Sequence, residues 1–264
     1  MLKKVQVQDI AFQVYDRGSG PALLFVHGFP LDHTMWSGQL EAFPECRVIA
    51  PDLRGFGGTN PTGDSASMQR YADDLANLLD ALDVGGRVCL CGLSMGGYVA
   101  WQFWRRHASR LAGLILCDTR AGVDSPQAAE DRRRNAQRVL TEGLGFLADL
   151  MMPRLFAADA QPEIVAATRA VIERTPGRGA AEGLLAMADR SDFVPLLPEV
   201  RIPSLVVCGE RDVLTPAEEM RTMASAMPDA RFVEVPSAGH MAPLESPGMV
   251  NAAIREFIRG LHRV

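Results

Sequence analysis

The chain has 264 residues, 47% hydrophobic and 22% charged, a size and balance that suit one globular domain with a substantial core and argue against a disordered chain. A formal net charge of −5 works against a nucleic-acid footprint, because neutralising phosphates takes Lys and Arg clustered on one face. No stretch reaches the ~20 apolar residues of a membrane span, and residues 5–14 alternate rather than forming the apolar core of a signal peptide.

Residues 5–16 alternate apolar and polar positions and run into Gly18-Ser19-Gly20-Pro21, the pattern of an antiparallel edge hairpin. Short apolar runs follow at 22–27, 47–53, 87–94, 111–119, 204–209 and 231–236 and read as strands, with helical patterns between them. Met68, Tyr71, Leu75, Leu78, Leu79 and Leu82 recur at three- and four-residue steps, the apolar stripe of a helix packed on a sheet, and 98–110 reads as another helix. Such alternation predicts an α/β fold: a mostly parallel central sheet with helices on both faces. Residues 121–203 break the rhythm, being helical in pattern, rich in Ala and Arg and without a convincing strand. They are expected to form a helical cap inserted into a core made of 1–120 and 204–264. Inside this stretch Arg132 to Arg134 follow Glu130 and Asp131, which reads as a solvated helix face. The five cysteines are an odd set lying mostly in strand-like runs, as expected of buried thiols in a cytoplasmic protein rather than a disulfide framework.

The chemistry concentrates at strand ends. Gly92-Leu93-Ser94-Met95-Gly96 stands between a strand and a helix. A serine held on so sharp a turn has strained backbone angles, and side chains two residues before or after it would strike the neighbouring strand and helix, so glycines stand there. Serine is a poor nucleophile at neutral pH and needs a base, which in turn needs an acid to orient it. His240, in the small-residue loop Ser237-Ala238-Gly239-His240 after the last strand, sits where a base reaches the carboxyl edge of the sheet. Asp212 is the first candidate for the acid, on the loop between the strand at 204–209 and a helix that Thr215 and Glu218 are expected to start as a capping box with Pro216 at its first position. Glu210 on the same loop and Asp118 at the end of the preceding strand remain alternatives. The backbone N–H groups of Phe29 and Met95 are expected to form an oxyanion hole, with His27 bracing the Phe29 loop rather than moving protons. Met151, Met152, Leu155 and Phe156, together with Leu147 and Leu150, are candidates for the underside of the cap and an apolar substrate pocket.

In this order His27-Gly28-Phe29-Pro30, Gly92-x-Ser94-x-Gly96, Gly209-x-x-Asp212 and Gly239-His240 resemble the α/β-hydrolase superfamily over nearly the whole chain, and Asp52-Leu53-Arg54-Gly55-Phe56-Gly57 adds a fifth family-like signature. Cys91 to Gly97, Cys117-Asp118-Thr119 with Ser125-Pro126, and Pro153-Arg154-Leu155-Phe156 look like the 3-oxoadipate enol-lactonase group and its carboxylesterase relatives. The resemblance implies a serine hydrolase acting on a small-molecule ester or lactone, without metal or organic cofactor, nucleic acid or membrane. His-Gly-x-Pro is also similar to the loop of cofactor-free perhydrolases, which makes peracid chemistry on the same residues one alternative. A ligand receptor with incidental slow hydrolysis is another, since a fold does not dictate a function. Ser94 stands where dehalogenases of this superfamily carry an aspartate.

Overall fold

The computed structural model describes residues 1–60 and 66–261; His262 lies outside them. Strands β1 (Leu2–Val7) and β2 (Ile10–Arg17) pair antiparallel from Leu2↔Tyr15 to Val7↔Ile10, the expected edge hairpin. Ile10, Phe12 and Val14 of β2 point into the core while Ala11 faces solvent, so the alternation in sequence is the alternation of the pleat. Next come β3 (Ala22–Val26), β4 (Arg47–Pro51), α1 (Met68–Ala81), β5 (Val88–Leu93), α2 (Met95–His107) and β6 (Leu111–Cys117). The chain then forms α3 (Pro126–Glu142), α4 (Gly145–Leu155), α5 (Pro162–Arg174) and α6 (Gly177–Ala188) before returning to the sheet. It ends with β7 (Ser204–Gly209), α7 (Ala217–Ser225), β8 (Ala230–Val235), α8 (Ala242–Glu245) and α9 (Pro247–Leu261).

The eight strands make one sheet in the order β1-β2-β4-β3-β5-β6-β7-β8, antiparallel at β1/β2 and β2/β4 and parallel elsewhere. Strands β3, β5 and β7 are buried along their whole length, which is why they read in sequence as continuous apolar runs. Ser67 caps α1 by accepting from the Arg70 N–H, and the stripe of that helix is buried as its spacing predicts. The parallel registers Val26↔Gly92, Leu93↔Cys117, Cys117↔Val207 and Gly209↔Val235 bring five strand ends to one edge of the sheet. Residues 27–30, Ser94, Asp212 and His240 all follow those ends. Among the described residues no helix is long and apolar enough to cross a membrane.

Helices α3 to α6 lie over this edge, with α3 packed on α6 and α4 on α5. Helix α6 comes down onto the core backbone to backbone: a Cβ on Gly179 would lie 1.7 Å from the Gly55 carbonyl oxygen. On the other side Arg174 bonds Asp32 at 2.7 Å and the Thr175 hydroxyl donates to the Pro30 carbonyl at 2.8 Å, so the end of α5 is tied to the loop after β3.

Candidate active site

Ser94 has φ 53° and ψ −113°, in the left-handed half of the map that a side chain rarely occupies. Such a conformation costs about 1–3 kcal/mol and persists only where its surroundings enforce it. Here the Ser94 N–H donates to the Cys117 carbonyl at 3.0 Å and the Thr119 hydroxyl donates to the Ser94 carbonyl at 2.7 Å. Gly92 and Gly96 make the turn sterically feasible, since a Cβ on the first would lie 2.3 Å from the Gly96 oxygen and one on the second 2.2 Å from the Val26 oxygen. The Ser94 side chain is not used to cap α2. Met95 opens that helix, so its N–H is among the donors that a helix start leaves without an intrahelical partner, at the positive end of the dipole.

The loop after β3 is braced through His27, which is fully buried. Its Nδ1 lies 2.9 Å from the Gly28 carbonyl and its Nε2 accepts the Leu53 N–H at 2.9 Å, which places the proton on Nδ1. Burial pushes the imidazole below its ordinary pKa, so it stays neutral and holds two loops together. Phe29 borders the same cavity as Ser94 and His240.

His240 is buried, with Nδ1 2.8 Å from Asp212 Oδ2. Asp212 Oδ1 accepts the N–H groups of Leu214 (2.7 Å) and Thr215 (3.0 Å), and the Thr215 hydroxyl donates to Oδ2. Burial drives this carboxyl upward, but His240 and the Thr215 donors outweigh it and hold the group below the usual aspartate range. An ionised Asp212 thus fixes the proton of His240 on Nδ1 and leaves Nε2 as the basic nitrogen. The capping box expected at Thr215 and Glu218 does not form: α7 starts at Ala217 with Pro216 in the cap position, and the Thr215 hydroxyl and N–H are directed to Asp212.

Of the three acids open in the sequence, the other two do different work. Glu210 is exposed and accepts the Ser237 N–H at 2.8 Å. Asp118 is buried, accepts the Gly209 N–H at 2.8 Å through Oδ1, and has no partner at Oδ2. Burial first and the neighbouring Asp212 charge second push Asp118 well above the aspartate range, so it is a neutral strut beneath the Asp212 loop.

Ser94, His240 and Phe29 open on a cavity of about 400 Å³. Helix α4 contributes Leu147, Leu150, Met151 and Leu155 to its wall, and α6 contributes Leu184 and Met187. Met152 and Phe156, expected here, line a separate space of about 460 Å³ toward α5. The helical period explains the split, because 147, 151 and 155 share a face that 152 and 156 leave by about 100°. Arg132, read from sequence as solvated, also faces the cavity and pairs with Asp124 at 2.5 Å. Asp124 also bonds Arg190 at 2.8 Å, and no spacing rule links 124, 132 and 190.

Asp32, His33 and Asp52 cluster closely enough to hold a cation, yet their oxygens and ring nitrogen are spent on one another's neighbours. Asp52 accepts from the His33 N–H (2.8 Å), from His33 Nδ1 (2.7 Å) and from the Gly58 N–H (2.7 Å), while Asp32 accepts from Thr34 and Arg174.

The family profile of alpha/beta hydrolases matches residues 23–253 of this chain. The chain is 47% identical to a thermophilic esterase from Thermogutta terrifontis solved with malate bound, at a TM-score of 0.96 over 99% of each chain. It is 29% identical to an enol-lactonase from Burkholderia xenovorans LB400, at a TM-score of 0.90 over 97% of this chain and 100% of that one. Among curated proteins it is 25% identical to 3-oxoadipate enol-lactonase 1 of Acinetobacter baylyi over 265 residues, 99% of this chain and 97% of the relative. With a sheet of this topology, a serine turn and an Asp–His pair at its carboxyl edge, the chain belongs to the alpha/beta hydrolase family and is a hydrolase.

Proposed function

We propose that this protein is a serine carboxylic ester hydrolase that cleaves a small ester or lactone through an acyl-enzyme on Ser94. The observation that carries the reading is the buried Asp212–His240 hydrogen bond of 2.8 Å on the same cavity as a serine in a strained turn. Ser94 Oγ attacks the carbonyl carbon while His240 Nε2 takes its proton, and the negative charge on the carbonyl oxygen is met by the N–H groups of Met95 and Phe29. Asp212 stabilises the imidazolium. As the tetrahedral intermediate collapses, the C–O bond of the ester breaks and His240 returns the proton to the leaving alkoxide. A water then repeats the sequence on the acyl-enzyme and frees Ser94. Residues 121–203 act as the cap over a core of 1–120 and 204–264. A cavity of about 400 Å³ walled by Leu and Met side chains suits a small molecule with an apolar acyl or alcohol part.

The test is a panel of short p-nitrophenyl esters, simple lactones, an enol-lactone and a peracid-forming assay, run on wild type and Ser94→Ala. Loss of ester or lactone turnover in a variant of unchanged circular dichroism supports the reading; equal rates in the two proteins reject it.

A further inference from the structure

The loop that carries His240 is bound to the cap as well as to the core. Met241 N–H donates to the Leu155 carbonyl at 3.0 Å, joining the loop to the last residue of α4. Glu245, on the short helix α8, makes the second connection. Its Oε1 accepts the Gly239 N–H at 2.9 Å and its Oε2 accepts the Ala157 N–H at 2.9 Å. One carboxylate therefore satisfies one donor next to the base and one donor just past the end of the cap helix. The two backbones touch beside it: a Cβ on Gly239 would lie 2.6 Å from the Ala157 nitrogen and 2.7 Å from the Phe156 carbonyl carbon. Glu245 itself borders a different space, with Asp159, Gln161 and Ser237, and is not among the residues around the Ser94 cavity. Helix α4 supplies Leu147, Leu150, Met151 and Leu155 to that cavity, so the helix that shapes the substrate wall is the one tied to the base.

We propose that Glu245 is a positioning residue, whose carboxylate ties the His240 loop to the end of α4 so that the seating of the cap sets the orientation of the imidazole. The inference rests on His240 being the general base. Burial raises the pKa of Glu245 and the amide donors work against that rise; in its charged form it is a stronger shared acceptor than a neutral group, and no other side chain of this size offers two acceptor oxygens and no donor. Glutamine keeps the shape but replaces one oxygen with an NH2 group that would face a backbone N–H, so only one of the two links survives.

Three variants separate the parts of the claim: Glu245→Gln, Glu245→Ala and Ala157→Pro. The last replaces the cap-side N–H with a ring carbon and so breaks that link from the α4 side, and the preceding Phe156 already has the extended ψ of 154° that a following proline requires. Hydrolysis of p-nitrophenyl acetate, thermal melts and the low-field proton NMR signal of His240 Nδ1–H are measured on each. The expected result is a kcat about 10- to 100-fold lower in Glu245→Gln and in Ala157→Pro, the size of loss that a small misplacement of a reacting group produces. KM should stay within about twofold, since Glu245 does not border the cavity, and the low-field signal should shift or broaden at a temperature where the variant is fully folded. Unchanged kcat in folded Glu245→Gln overturns the proposal, as does a kcat loss with an unmoved Nδ1–H signal. Wild-type behaviour of Ala157→Pro alongside a defective Glu245→Ala overturns the coupling to the cap. Retained turnover in Ser94→Ala would instead sink the reading of the site on which this inference rests.

Discussion

Two aspartates close the adjacent strands β6 and β7, and their surroundings drive them in opposite directions. Asp212 accepts from four donors around it and stays ionised, whereas Asp118 has one donor, one unpartnered oxygen and a negative neighbour, and stays protonated. Asp212→Asn should therefore leave the fold intact and lower kcat by about 10³- to 10⁴-fold, because an amide cannot hold the required tautomer or stabilise the imidazolium. A kcat within tenfold of wild type would remove Asp212 from the proposed role. For Asp118 the sign is the reverse of a salt-bridged acid. A carboxyl whose folded pKa lies above its unfolded value contributes stability in full below the unfolded value, and loses it as pH rises toward the folded one. Asp118→Asn does not titrate and still offers an acceptor to the Gly209 N–H, so its melting temperature should fall less than that of wild type over the range in which pH rises above the ordinary aspartate pKa. Parallel melting curves across that range would contradict a neutral Asp118. The sequence placed Ser94, His240 and three candidate acids at strand ends, but choosing among the acids required knowing which carboxylate faces the imidazole.

At the level of elements, the sheet and α1 were readable because each has a period that burial imposes: two for the hairpin, three to four for α1, and continuous apolar runs for strands covered on both faces. Residues 121–203 were readable only as helical. The face turned to the cavity was not, since α4 is apolar on more than one side: Met152, with Phe156 just past the helix, lines the space toward α5 while Met151 and Leu155 border the Ser94 cavity. Nor did the Thr215–Glu218 spacing make a cap, because α7 starts only at Ala217, with Pro216 in the cap position and the Thr215 side chain turned to Asp212 on the same loop. The docking of α6 depends on a residue with no periodic signal. Gly179→Ala would drive a methyl group into the Gly55 carbonyl, and overpacking of this kind typically costs about 1–3 kcal/mol. The variant should melt at lower temperature and show a raised KM, as α6 carries Leu184 and Met187 away from the cavity. A melt and a KM both equal to wild type would show that α6 tolerates the displacement.

Across the whole molecule, the five cysteines lie buried and unbridged in or beside the central strands. Burial raises the thiols of Cys46, Cys89, Cys91 and Cys208 above their ordinary pKa, which keeps the reactive thiolate scarce. An aromatic disulfide reagent should thus find almost no thiol in the native protein and all five after denaturation; rapid labelling of a folded sample would contradict that burial. The sequence by itself determined the architecture and the set of chemical groups, because strand and helix periods, turn glycines and the chain order of Ser94, Asp212 and His240 are written along the chain. Only the tertiary structure decided which acid meets His240, which face of α4 walls the cavity, that Arg132 turns inward to Asp124, and that Glu245 accepts from both Gly239, beside His240, and Ala157, just past α4. Each of these depends on how separate loops and helices approach one another to within a hydrogen bond or a van der Waals contact, and no local pattern encodes such a distance.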